Sequence, residues 1–142
     1  MPDNWFPEDT AEVAPLLVVS DLQSSLQFYV EQLGAAPLMV WDTYAQLRLG
    51  RGRVHLATPS AESYDKPGIS LIPPPNRYEH TGEVVLHVAD CRQVYLDLVA
   101  RGVVFLEPPS EPPWGGEIRC FFQDPDGHLI EISETDDGDQ RR

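Results

Sequence analysis

Basic residues are scarce in this chain: 10 Lys and Arg stand against 23 Asp and Glu among 142 residues, a formal charge of −13. Counterion-release binding to a phosphate backbone needs clustered cations, so nucleic acid is not expected as a partner. The same charge repels an anionic membrane surface, and no apolar run approaches the roughly 20 residues that span a bilayer. A soluble protein is expected. Cysteine is also sparse: Cys91 and Cys120 make neither a disulfide framework nor a metal-ligand spacing and read as reduced, half-buried thiols. The start Met1-Pro2-Asp3-Asn4-Trp5 lacks the basic residues and apolar stretch of a secretory signal, which points to the cytoplasm. A Gly-x-Ser-x-Gly elbow and a Gly-rich phosphate loop are missing as well. Cys120 lies in Ile118-Arg119-Cys120-Phe121-Phe122, an apolar strand that disfavours its thiolate, so it is discounted as a nucleophile.

What is present suits one globular domain with a real core, 42% of residues being hydrophobic and 23% charged. Charge is concentrated at the ends. Residues 1–12 carry −4 and residues 131–142 carry −3, which leaves −6 of the −13 to the body. Such a body favours cationic or neutral ligands at long range.

Two segments repeat one plan. Leu16-Leu17-Val18-Val19-Ser20-Asp21 precedes an apolar stripe at Leu22, Leu26, Tyr29, Val30 and Leu33 that stops at Gly34. Val84-Val85-Leu86-His87-Val88-Ala89-Asp90 precedes Val94, Tyr95, Leu98 and Val99 and stops at Gly102. Asp21 and Asp90 are each placed to cap a helix. Strand-like runs follow each helix: residues 38–41, 44–49 and 53–57 in the first half, and 103–106, 117–123 and 128–133 in the second. Asp124-Pro125-Asp126-Gly127 joins the last two as a tight turn. The expected fold is α+β: two tandem βαβββ modules forming cupped mixed sheets, with helices on the outer face. Residues 1–12 are expected as a flexible arm and 13–134 as a single domain. Its modules are 13–58 and 82–134, joined by a Pro-rich linker over 59–81, and 135–142 form an acidic tail.

These residues resemble the vicinal oxygen chelate superfamily, which includes glyoxalases, bleomycin-resistance proteins, fosfomycin-resistance transferases and extradiol dioxygenases. The resemblance covers roughly residues 13–134. It is carried by Trp114-Gly115 with Phe122-Gln123-Asp124-Pro125-Asp126-Gly127-His128-Leu129-Ile130-Glu131-Ile132, and by Val19-Ser20-Asp21-Leu22 with Ser25, Leu26, Phe28-Tyr29 and Leu33-Gly34. In metal-dependent members the ligands lie on the first and last strands of each module. The resemblance maps these onto Ala14, where a His or Gln is common, and onto His55, Glu83 and Glu131. Strand alternation agrees, because Val54, Leu56, Val84, Leu86, Ile130 and Ile132 share the core-facing parity and His55, Glu83, His87 and Glu131 the opposite one. A His nitrogen and two carboxylates suit Zn, Mn, Ni or Fe, with Glu131 as the catalytic candidate and His87 able to add a contact. Half-solvated strands alternate in the same way without any metal.

Trp41, Tyr44 and Trp114 offer stacking surfaces for a ligand, alongside His87. His128 is expected to support its turn and His80 to sit in solvent. Two modules cannot close a cup without pairing edge strands, so a homodimer is expected. Without the Ala14-position ligand, the resemblance favours a cytoplasmic small-molecule-binding protein of the bleomycin-resistance type, taking a planar or cationic ligand in a dimer cavity without a required cofactor. The alternative is a metal-dependent lyase or dioxygenase using His55, Glu83 and Glu131. A fosfomycin-type transferase ranks below both.

Overall fold

Both runs ahead of the capping aspartates are strands in the computed structural model, which describes residues 6–7 and 9–135. The first half gives β1 (Leu16–Val18), helix α1 (Leu22–Leu26), β2 (Ala36–Val40), β3 (Tyr44–Leu49) and β4 (Gly52–Ala57). The second gives β5 (Val84–His87), α2 (Cys91–Ala100), β6 (Glu117–Gln123) and β7 (Leu129–Thr135). They form a four-stranded sheet in the order β1-β4-β3-β2 and a three-stranded sheet in the order β5-β7-β6. In each sheet the first strand pairs parallel to the last, and the remaining pairs are antiparallel.

Both caps form as the sequence requires. Asp21 Oδ1 accepts from Gln23 N at 3.1 Å and Asp90 Oδ1 from Gln93 N at 3.0 Å, contacts worth about 1 kcal/mol each. The first helix does not stay α-helical: after Leu26 it widens into a π-helical stretch over Gln27–Gln32. That bulge explains a mismatch in the repeat, since 13 residues separate Asp21 from Gly34 but only 12 separate Asp90 from Gly102. One inserted residue is what a π-bulge absorbs.

The expected strand over 103–106 is corrected. Only an isolated bridge, Phe105 to Phe122, forms there, and Val104 is 83% exposed. Pro108, Pro109, Pro112 and Pro113 follow directly, and without N–H groups they cannot extend a ladder along β6.

A single core lies between the halves. Leu47, Leu56, Val19 and Ala45 of the first join Cys91, Phe122, Ile130 and Ile132 of the second, and truncating a buried Leu such as Leu47 to Ala costs about 2–5 kcal/mol. Polar ties fix the halves to each other. Tyr29 Oη donates to Asp124 Oδ2 at 2.8 Å, Ser20 N to Asp126 Oδ1 at 3.0 Å and His128 Nε2 to the Val18 carbonyl at 2.7 Å. His128 therefore supports its turn and also binds it to β1. The Arg101 guanidinium, just past α2, donates to the carbonyls of Gln32 and Glu31, both at 2.7 Å.

Two further expectations change. His80 is half-buried rather than in solvent: its Nε2 meets the Arg77 carbonyl at 3.0 Å and Gln123 Nε2 at 3.4 Å, where the linker docks on β6. Cys91 and Cys120 are fully rather than half buried, with Sγ atoms 3.7 Å apart. Burial pushes both thiols up, Cys120 to about 12. Among the described residues no helix is long and apolar enough to cross a membrane. Of the arm expected over 1–12, residues 1–5 and 8 lie outside the described residues, and of the tail expected over 135–142 all but Thr135 do.

Candidate functional site

Register places the candidate residues on the sheet faces turned away from the core. Leu16 pairs with His55 and Val85 with Glu131. Leu16 and Val85 each stand five residues before a capping aspartate, so His55 and Glu131 occupy equivalent positions in the two halves. Their surroundings differ.

On the second sheet, Glu117, Arg119 and Phe121 of β6 share a face with Glu131 and Ser133 of β7, since Arg119 pairs with Ser133 and Phe121 with Glu131. The Arg119 guanidinium carbon lies 4.8 Å from the centroid of the Trp114 ring and 5.1 Å from that of Phe121. Trp114 Nε1 donates to Glu117 Oε2 at 3.1 Å, and Ser133 Oγ donates to Glu117 Oε1 at 3.2 Å. Trp114, held by one hydrogen bond and one guanidinium, still exposes 68% of its surface. Two consecutive glycines after it, both with positive φ, turn the chain from the Pro-rich stretch into β6.

Glu131 is 6% exposed and hydrogen-bonds Glu83, which enters from the end of the linker just ahead of β5. Burial first, then the bond to and the charge of Glu83, push the Glu131 carboxyl up to about 7; Glu117 adds to the rise and Arg119 opposes it. The pair thus keeps a proton until near neutrality. His87 is exposed and stands opposite Ser133 across β5 and β7.

On the first sheet the corresponding face carries Trp41, Tyr44 and His55. Ring centroids are 6.0 Å apart for Trp41 and Tyr44 and 5.7 Å apart for Tyr44 and His55, and the Tyr44 hydroxyl hydrogen-bonds His55 Nδ1. Trp41 is 63% exposed. Trp41 therefore stands beside the first sheet and Trp114 beside the second, and His55 is likewise on a different sheet from Glu131 and its partner Glu83.

The metal set implied by the resemblance meets its test here. Glu83 and Glu131 come together, but His55 is bonded to Tyr44 on the other sheet and Ala14 offers no ligand. Among the described residues no group of three or more His, Cys, Asp or Glu side chains is placed to hold a metal ion. Within one chain these residues do not fit a metal, and no catalytic step is derived through one.

Sequence reasoning missed Arg119 and Glu117. A signal was available, because Glu117, Arg119 and Phe121 alternate with Ile118, Cys120 and Phe122 directly after Trp114. A cation at that parity is within reach of both rings.

Comparison with known proteins agrees with this architecture. A bleomycin-binding protein complexed with bleomycin superposes with a TM-score of 0.69 at 18% identity, covering 89% of this chain and 100% of that one. A glyoxalase/bleomycin resistance protein/dioxygenase from Alicyclobacillus acidocaldarius gives 0.73 at 15% identity, covering 94% and 97%. Another from Nocardioides gives 0.66 at 22% identity, covering 94% and 92%. No curated protein matches the chain. Residues 11–132 match the family model of these proteins, and the chain belongs to the Glyoxalase/Bleomycin resistance protein/Dioxygenase superfamily.

Proposed function

We propose that the protein binds a planar or cationic small molecule on the face formed by Trp114, Phe121, Glu117, Glu83 and Glu131, in a cavity completed by a second copy of the chain. The observation that carries this reading is the seat of Arg119. The protein's own planar cation lies against two aromatic rings with carboxylates beside it, an arrangement that stabilises an exogenous planar cation in the same way. Trp41, Tyr44 and His55 are the surface that a partner chain would bring to the opposite wall. Dimerisation is supported by the open edges at β1 and β5, where Leu16 and Val85 are 44% and 41% exposed. A bleomycin-binding protein of the same fold supports sequestration; a role in antibiotic resistance, exercised in the cytoplasm, is part of the proposal. The lyase or dioxygenase alternative needs His55 beside Glu83 and Glu131, and within one chain only the two carboxylates meet.

The mechanism is capture by stacking and charge. Because Glu131 loses its proton near neutrality, a cation finds a stronger partner as pH rises through 7. The test is fluorescence titration with proflavine, a planar organic cation, at pH 6 and pH 8. Saturable quenching, tighter at pH 8 and weakened at least tenfold by Trp114→Ala, supports the reading. Absence of saturation, or Trp114→Ala binding as the parent does, overturns it.

A further inference from the structure

The β3–β4 hairpin turns through Gly50 and Arg51, with Gly50 at φ 59° as the first central residue of a two-residue loop. Directly before and after it, Arg48 and Arg53 face each other across the strands. Their neighbours Leu47 and Val54 are buried in the core, so both guanidinium groups project from the opposite face. A cleft of about 450 Å³ is lined by these two arginines together with Arg51, Gln46, Met39 and Glu12, among others. In a chain with only 10 basic residues, three meet at one place.

Like charges directly opposite on paired strands are unfavourable, and here they are poorly compensated. Arg53 is occupied: it pairs with Glu12 at 3.0 Å and donates to Gln46 Oε1 at 3.4 Å. Among the described residues, the side chains of Arg48 and Arg51 have no hydrogen-bond or ion-pair partner. The Glu12 carboxylate on Arg53 shows which chemical group this cleft accepts, and Met39 with Leu38 supplies an apolar wall for the stem of a ligand.

We propose that this cleft is an anion-binding site, in which Arg48 and Arg51 hold the carboxylate or phosphate group of a small organic acid while Glu12 competes for Arg53. Forked guanidinium donors match both groups geometrically. The site lies at the hairpin end of the first-sheet face that also carries Tyr44 and His55, and it shares no residue with the cation-binding face on the second sheet.

The experiment is calorimetric titration of the full chain with inorganic phosphate and, separately, with succinate, each against sodium chloride at matched ionic strength. Saturable binding is expected for at least one probe, weakened tenfold or more in the Arg48→Gln/Arg51→Gln double variant and tightened several-fold by Glu12→Gln. Arg92→Gln removes one positive charge, half the loss in the double variant, from an exposed position on α2 and is expected to leave affinity unchanged. Binding of phosphate alone assigns phosphorylated ligands, and binding of succinate alone assigns carboxylates. Heats equal to those of chloride, a double variant that binds like the parent, or an equal loss in Arg92→Gln would each overturn the proposal.

Discussion

Replacing Glu131 by Gln tests the buried member of the carboxyl pair directly. The folded chain holds the Glu131 proton to about 7, against an ordinary carboxyl value of 4.5. Between those two values the folded state binds more protons than the unfolded state, so stability falls as pH rises through this window. Below 4.5 both states are protonated and the contribution vanishes. Above 7 both are ionised, and the folded state carries the full penalty of a buried charge beside Glu83. A gap of 2.5 pH units sets an upper bound of about 3 kcal/mol, which solvent screening around the exposed Glu83 reduces. The Glu131→Gln variant keeps the shape and a hydrogen bond to Glu83 but cannot ionise. It is expected to match the parent near pH 4 and to exceed it by about 1–3 kcal/mol at pH 8. Urea unfolding followed by circular dichroism at fixed ionic strength, from pH 4 to 8.5, reads this difference as a shift in midpoint at constant slope. Hydrogen bonds hold Asp21 and Asp65 below their ordinary 3.8, so their stabilisation is lost only at more acid pH and does not overlap this window. A variant whose stability falls with pH as steeply as the parent's would refute the assignment of the buried charge to Glu131.

Three other outcomes follow from the geometry. Tyr29→Phe removes the hydroxyl that donates to buried Asp124; a loss of about 1.5–3 kcal/mol in urea unfolding is expected for a hydrogen bond to a charged group, and no change would mean that water replaces it. Gly127→Ala forces a side chain onto a residue at φ 93° and brings its Cβ to 3.0 Å from Arg77 Cγ, so destabilisation of at least about 1 kcal/mol is expected in the same assay. Cys91 and Cys120, buried and with thiols pushed up, should resist Ellman's reagent in the folded chain and release two equivalents in urea; rapid labelling of the native protein would contradict the closed packing between α2 and β6.

Local rules carried far in this chain because each used neighbouring residues. Strand parity put Val54, Leu56, Ile130 and Ile132 in the core and His55 and Glu131 on the other face, and the pairing of Leu16 with His55 and Val85 with Glu131 follows that alternation. The run 103–106 misled because its β-rich composition says nothing of the ladder partner that the following prolines deny it. Site geometry was harder to read for a similar reason. Residue type made His55, Glu83 and Glu131 a plausible trio, yet whether they meet depends on how two sheets are arranged, and within one chain only the carboxylates do. Net charge was the least local quantity and concealed the most. A value of −13 averaged over 142 residues directs attention to cations, whereas Arg48, Arg51 and Arg53 around one hairpin turn create a positive cleft at the scale of a ligand. Screening by salt reduces the field of distant charges within about 10 Å. An anion in that cleft therefore responds chiefly to the three guanidinium groups and to Glu12, and much less to the acids elsewhere on the surface.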